Sequence, residues 1–487
     1  MSLASTFMTR SGMRLIESNA IPAALFLCGP FYYYVMAHWF GIAHPAWIIG
    51  GYLMLATLAV LPQRFGLLLR SLGAIDYLLM AFLLIVLFSM VMHGPSERGR
   101  GVYLLAVSLL LPYGTVRLFT LEEVGVFIRT CAILGLAALP ISFIGLWMLS
   151  PVDLEQDRIR GLFGVYYSNN EAGLVIGLCM VMCAIFVLLS DRKKHVGFAY
   201  RSIAWAGLAL SAGLLTFLSA RGGMVAGLGV SVILILFVKP VSARTRVLLL
   251  GVLILSVIIS ASMLPQSRKD FIGQLNVMNL PPISKQVPPI SKQNEISNSS
   301  ELPENPLKLR PQILLDGNSS AIRVLLYYDA LNLIARFPFF GVGAGNFGVY
   351  SPIVKLQSEN ALCADKKEVR LICPQSPIFS SPHSTILHVF AELGIFGMVV
   401  FSALMFFLAK GLYIAVNKSA NERIKSYAWY LGGGWLFFLI LDQFYGNYFT
   451  SFQFYLWTGC VAAFLSNVAI HNYPPIPCPR RPASALP

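Results

Sequence analysis

The sequence predicts an all-α integral membrane protein of about twelve transmembrane helices, with one large extramembrane loop between the ninth and the tenth. Three observations carry that expectation. Hydrophobic residues make up 56% of the 487-residue chain and charged residues only 12%, and mean hydropathy is +0.70, far from the averages of soluble domains. Apolar runs long enough to cross a bilayer recur along most of the chain. Lysine and arginine are concentrated in alternate connections between those runs.

The runs fall at roughly 21–39, 44–61, 72–92, 101–116, 124–149, 172–190, 202–218, 224–238, 247–263, 384–409, 426–441 and 450–468, each near the length a helix needs to span hydrocarbon. Helices are expected because a bilayer core offers no partners to backbone polar groups, and the two-residue alternation of a β-barrel is absent. Arg10 and Arg14 precede the first run, which contains Pro30 and lacks a small-residue cleavage site, so it reads as a retained helix. Arg64, Arg70, Arg117, Arg192, Lys193, Lys194, Arg201, Lys239, Arg244, Arg246, Lys410, Lys418, Arg423, Lys425, Arg480 and Arg481 share one side with the N-terminal pair. The other side has only Arg98, Arg100, Arg158, Arg160 and Arg221 in its short loops. The positive-inside rule then puts both termini in the cytoplasm. The net charge of +14 is accordingly a topology signal, and its scatter in single residues argues against a nucleic-acid partner.

The organisation expected is an N-terminal bundle over 1–263, an external loop over 264–383, three further spans over 384–468 and a Pro-rich cytoplasmic tail over 469–487. Cys363 and Cys373 are the two cysteines of the external loop, where an oxidising compartment would let them pair. No zinc-type ligand spacing is present. Within the loop, about 272–318 is rich in Pro, Ser, Asn and Gln and repeats Pro-Pro-Ile-Ser-Lys-Gln at 281 and 288. Such a stretch cannot bury enough apolar surface to offset its ordering entropy and reads as a disordered insert.

Order is expected to return at Ser319-Ser320, which can cap an amphipathic helix over about 320–337 that Pro338 stops. Helical spacing puts Leu326, Tyr327, Ala330, Ile334 and Phe337 on one stripe, with Asp329, Asn332 and Arg336 opposite. Arg323 falls within the apolar stripe. Its guanidinium either snorkels to the membrane surface or meets an anion, and the adjacent helix N-terminus favours the anion. Gly343, Gly345 and Gly348 satisfy G-x-G-x-x-G, but the motif follows a helix rather than a strand, so it reads as a tight turn laying the helix against the bundle.

Arg221, in Ser219-Ala220-Arg221-Gly222-Gly223, lies in a short reversal between two spans. It is either a boundary marker or an anion contact, in which case Gly222 and Gly223 would admit a large headgroup. His383 stands at the mouth of the tenth span, as an interface cap or as a base for an acceptor hydroxyl. Glu392, inside that span, is an intramembrane carboxylate that must be paired or functional, and it could orient His383. Two guanidiniums and an imidazole on one face suit an anionic, phosphate-bearing substrate.

Four patches together carry a family resemblance. They are Asp157-Arg158-Ile159-Arg160-Gly161-Leu162-Phe163 with Asn169-Asn170-Glu171-Ala172, then Ser219-Ala220-Arg221-Gly222, then Arg323 through Phe337-Pro338-Phe339-Phe340-Gly341-Val342-Gly343, and Pro382-His383 through Ala391-Glu392-Leu393-Gly394-Ile395-Phe396-Gly397. In this order they resemble the O-antigen ligase and polymerase superfamily. The resemblance implies a GT-C-like membrane glycosyltransferase acting at the periplasmic face of the bacterial inner membrane. Its donor would be an undecaprenyl-diphosphate-linked glycan, and its acceptor lipid A-core, a growing glycan or a protein, with neither nucleotide sugar nor metal nor other cofactor. By the same likeness Arg221 and Arg323 hold the diphosphate, His383 lies near the acceptor hydroxyl, and Arg160 and Asn170 form a further patch. Two positions depart from the family's pattern: Ser384 stands where an asparagine usually follows the histidine, and Asn169 where a proline commonly precedes Asn170. Ligase is the first expectation and polymerase the second. A transporter is disfavoured because no internal repeat divides the chain into related halves.

Overall fold

The fold was analysed in a computed structural model, which describes residues 19–29, 71–94, 98–147, 158–160, 166–191, 197–218, 220–238, 241–262, 319–352, 380–449 and 451–472, with a few single positions between them. The expected span at 44–61, the insert at 272–318, the Cys363/Cys373 pair and most of the C-terminal tail lie outside the described residues.

The described chain is a helical bundle. Its helices are α1 (Ala20–Leu27), α2 (Ala74–His93), α3 (Arg98–Leu105), α4 (Leu111–Arg117), α5 (Leu121–Trp147), α6 (Asn169–Ser190), α7 (Phe198–Phe217), α8 (Arg221–Phe237), α9 (Ala243–Ser262), α10 (Ser319–Arg336), α11 (Phe347–Tyr350), α12 (Thr385–Lys418), α13 (Glu422–Tyr445) and α14 (Phe452–Asn472). Among the described residues seven helical stretches are long and apolar enough to cross a membrane, and α8 is a shorter apolar helix. The chain is a membrane protein.

Local chemistry explains the interruptions. A π-helical turn, Ala106–Leu110, joins α3 to α4; the ring of Pro112 would clash with the carbonyl four residues back, at Ser108, and the wider turn relieves it. Helix α12 breaks at Gly394, whose φ of 64° and ψ of −158° belong to glycine alone. A two-stranded antiparallel ribbon, β1 (Arg158–Arg160) with β2 (Tyr166–Ser168), leads straight into α6. The hydropathy pattern gave no sign of it, because three-residue strands are too short to show alternation.

Helix α6 is the centre of the bundle: 89% of its apolar window is buried, against 11% for the peripheral α9. It meets α8 through glycines, with Gly173 and Gly177 facing Gly223 and Gly227. A Cβ on Gly173 would lie 3.0 Å from that of Ala220, and one on Gly223 would collide with the Gly173 carbonyl. These are two G-x-x-x-G faces in backbone contact, the device by which membrane helices pack closely without large side chains. The glycines beside Arg221 are thus used within the protein: Gly222 lies against the Tyr445 ring and Gly223 against Gly173. The expectation that they leave room for a headgroup is corrected accordingly.

The two ends of the bundle differ in chemistry. At one end Arg117 forms a buried ion pair with Asp76, with Nε to Oδ1 at 2.8 Å and Nη2 to Oδ2 at 2.9 Å. Tyr113 donates to the same carboxylate at 2.7 Å, tying the start of α2 to the end of α4. Arg201 donates to the Ser190 carbonyl and Arg246 to that of Val238, so basic residues close the helix C-termini there. The opposite end gathers the starts of α6, α8, α12 and α14 and the ends of α2, α7 and α13.

Candidate functional site

At that opposite end the last turn of α13 is the junction. Tyr445 accepts a hydrogen bond from the Gly222 N–H at 3.1 Å, in the first turn of α8 beside Arg221. The face of the same ring lies under Arg323, whose guanidinium carbon is 5.1 Å from the ring centroid. One residue thus holds the α8 start and the α10 arginine together. Gln443 adds a second tie: its carbonyl accepts from the Tyr327 hydroxyl at 2.8 Å, and its side-chain oxygen accepts from Ser384 Oγ at 2.9 Å. Ser384 also caps α12 by accepting from the Leu387 N–H at 3.4 Å. Arg221 and Arg323 are both half-buried. A guanidinium over an aromatic face keeps its fork edge free for an anion while the ring fixes its plane.

His383 precedes this cap with φ of 59°, the one non-glycine residue among those described with positive φ. Left-handed backbone is tolerated by histidine at some cost and persists where the surroundings enforce it. Here Pro382 precedes it, Ser381 Oγ accepts its N–H at 3.3 Å, and the α12 cap follows. Burial, then the charge of Arg323, then His388 push its pKa down to about 4. The imidazole is therefore neutral at physiological pH, with a lone pair for a hydroxyl.

The glycine-rich segment is a structural turn locked into the break of α12. Val342 N–H donates to the Ala391 carbonyl at 2.9 Å, Gly343 N–H to the Glu392 carbonyl at 3.0 Å, and Ile395 N–H to the Pro338 carbonyl at 2.8 Å. Broken helical backbone at membrane depth survives only when protein groups satisfy it, and the 338–343 segment does so. A Cβ at Gly341 or Gly394 would penetrate the facing backbone, so both strands of this contact require glycine. Ala344 N–H reaches Ser89 Oγ at 2.9 Å, and Asn346 Nδ2 donates to the His93 carbonyl, so the turn also closes the end of α2.

Glu392 is paired, as an intramembrane carboxylate requires, but its partners do not include His383. Its fully buried carboxylate accepts from Gly345 N–H and Phe347 N–H, each at 2.7 Å, and from the Tyr448 hydroxyl at 2.6 Å. Its imidazole neighbour is His388, at 3.2 Å, rather than His383. Helix α10 is also rotated from its expected face: Leu326, Ala330 and Leu333 are buried, but so is Asp329, which was placed on the polar side. Asp329 accepts from Ser351 Oγ at 2.7 Å, a partner 22 residues away that helical periodicity cannot anticipate. Phe337, expected on the buried stripe, is exposed with Phe339 and Phe340.

Arg160 pairs with Tyr166 in the ribbon, and Asn170 lies in the first turn of α6, so both fall on the segment that enters the site end of the bundle. Their side chains, like Cys363 and Cys373, lie outside the described residues. Sequence reasoning missed Tyr445 and Gln443. The signal available was Asp442-Gln443-Phe444-Tyr445, a polar and aromatic close to an apolar run at the depth of the other candidates.

A curated protein of Rickettsia felis (strain ATCC VR-1525 / URRWXCal2) named "Putative polysaccharide ligase" is 24% identical over 272 residues, covering 56% of this chain. The matched stretch spans 52% of that relative, about half its length. Residues 206–402, which contain Arg221, Arg323, the glycine-rich turn, His383 and Glu392, match the family model described as O-antigen ligase (Wzy_C). Over that stretch, which supplies most of the residues around Tyr445, the chain is similar to the O-antigen ligase family.

Proposed function

We propose that the protein is a metal-independent inverting glycosyltransferase that moves an undecaprenyl-diphosphate-linked glycan onto an acceptor hydroxyl, as a ligase of surface polysaccharide. The observation that carries this reading is the tie at Tyr445 between Arg323 and the first turn of α8, which Arg221 opens, beside a neutral histidine. A membrane protein with cationic forks at one end of its bundle suits a donor whose head is a diphosphate and whose tail is lipid. The acceptor oxygen attacks the anomeric carbon, the bond from that carbon to the diphosphate oxygen breaks, and the diphosphate leaves with the electron pair. His383 takes the acceptor proton. Arg221 and Arg323 strengthen their hold as negative charge develops on the leaving oxygen.

Donor binding also makes His383 a better base. In the free protein Arg323 is one cause of its low pKa; a diphosphate paired with that arginine cancels the repulsion, so the proton affinity of the imidazole rises once the donor is in place. Arg160 and Asn170 contribute to the glycan side of the site under this reading. The described basic residues at the opposite end of the bundle support a periplasmic site, with both termini in the cytoplasm and the bundle in the inner membrane.

Gel analysis of surface glycan in a deletion strain tests the assignment. Loss of lipid-attached glycan with accumulation of long undecaprenyl-linked chains is the expected result. Accumulation of single repeat units would overturn it in favour of a polymerase, and unchanged glycan on both carriers would exclude both.

A further inference from the structure

Glu392 is a fully buried carboxylate whose hydrogen-bond partners are not the groups proposed to react. Both of its oxygens are committed to the turn after the glycine-rich segment: Oε2 to Gly345 N–H and the Tyr448 hydroxyl, Oε1 to Phe347 N–H. A side chain that accepts two backbone donors on two different oxygens must be a carboxylate. An amide would turn an NH2 group toward one of those N–H groups. The donor it holds at Phe347 opens α11, which borders α10 beside the main support of α10, α12. The side chain of Phe347 is fully buried in the same apolar cluster as Leu326, Ala330 and Leu333 of α10. Ser351, which closes α11 by donating its N–H to the Phe347 carbonyl, carries the hydroxyl that binds Asp329 at 2.7 Å. Asp329 lies six residues, or about 9 Å of helix, beyond Arg323.

We propose that Glu392 is a positioning residue for Arg323, acting through Phe347, Ser351 and Asp329 to set where α10 presents its guanidinium. The inference rests on the reading of Arg323 as a ligand of the donor diphosphate. The backbone ladder between 338–343 and 391–395 does not involve the carboxylate. Loss of the carboxylate therefore leaves that ladder in place and frees the Gly345 and Phe347 N–H groups on the α11 side of α10, together with Tyr448 and His388. A shift of about 1 Å in a positioned group can cost on the order of 10²-fold in rate, so a small relaxation on that side of α10 is kinetically visible.

The test uses the full-length protein purified in detergent, with labelled undecaprenyl-diphosphate-linked glycan and acceptor. Glu392→Gln is expected to lower kcat/KM by about tenfold or more, mainly through the donor KM, and Glu392→Asp, which keeps both acceptor oxygens, to recover part of the loss. In an Arg323→Lys background, Glu392→Gln should add less than about twofold, because the two changes disable one contact. Equal losses in both backgrounds would overturn the proposal. Should Glu392→Gln fail to fold, Ser351→Ala breaks the same path further on and is expected to show the same non-additivity with Arg323→Lys; multiplicative losses there would also overturn it. If Arg323→Lys alone leaves the donor KM unchanged, the diphosphate reading itself fails, whatever the Glu392 variants do.

Discussion

Tyr445 is the residue on which the arrangement turns, and replacing it in two steps separates its two jobs. Tyr445→Phe keeps the ring under Arg323 and removes the hydroxyl that accepts the Gly222 N–H, whereas Tyr445→Leu removes both. A lost neutral hydrogen bond is worth about 1 kcal/mol, and a half-buried cation–π contact about another 1 kcal/mol. At about 1.4 kcal/mol per factor of ten, the phenylalanine variant should lose about fivefold in kcat/KM and the leucine variant about thirtyfold. The assay is the initial rate of transfer of labelled lipid-linked glycan at donor concentrations below KM. The diagnostic quantity is the ratio between the variants, about sixfold, because it isolates the ring. Equal rates for the two variants, or a leucine variant within about twofold of the parent, would refute the argument that the ring holds Arg323 in place.

Three further outcomes follow from the geometry. His383 loses its neutral form only as pH falls through about 4. The acid limb of kcat/KM, which reports the free protein, should therefore lie near 4, the limb of kcat, which reports the donor complex, should lie higher, and Arg323→Gln should raise the former; a limb at the ordinary histidine value in every case would contradict it. Gly394→Ala forces a side chain into the Phe339–Phe340 backbone at a glycine-only conformation. It should destabilise the protein by on the order of 2–4 kcal/mol, read as a fall in the thermal midpoint in detergent, and an unchanged midpoint would mean the α12 break is soft. Reporter fusions at about 300 and about 420 should signal opposite sides of the membrane, as the alternation of basic connections demands, and same-side signals would remove the periplasmic site.

Much of the bundle is legible in the sequence because a bilayer imposes a length and a composition on each span. The described long helices from α2 to α9 begin and end within a few residues of the apolar runs, as do α13 and α14, whereas α12 runs nine residues beyond the expected end at 409. The ends of α10 were legible for a local reason, Ser319-Ser320 at its start and Pro338 after it. What the sequence hid was set by partners distant along the chain. Asp329 is buried because Ser351 meets it, Gly222 and Gly223 are small because Tyr445 and Gly173 press on them, and Glu392 serves backbone amides 45 and 47 residues away. Periodicity assigns a residue to a face of its own helix and carries no information about such partners. Arg221, Arg323 and His383 stood out as polar residues in apolar surroundings, but the aromatic ring that ties Arg323 to the start of α8 did not, because tyrosine at a span end is ordinary.

The central claim is that these three residues serve one site in which the arginines bind and the histidine acts on the acceptor. The most direct measurement compares donor binding with transfer in purified His383→Ala and Arg323→Ala proteins, in detergent with chelator present. The account predicts that His383→Ala retains lipid-diphosphate binding and loses transfer, while Arg323→Ala loses both. Near-parental turnover by the histidine variant, or unimpaired donor binding by the arginine variant, would contradict it.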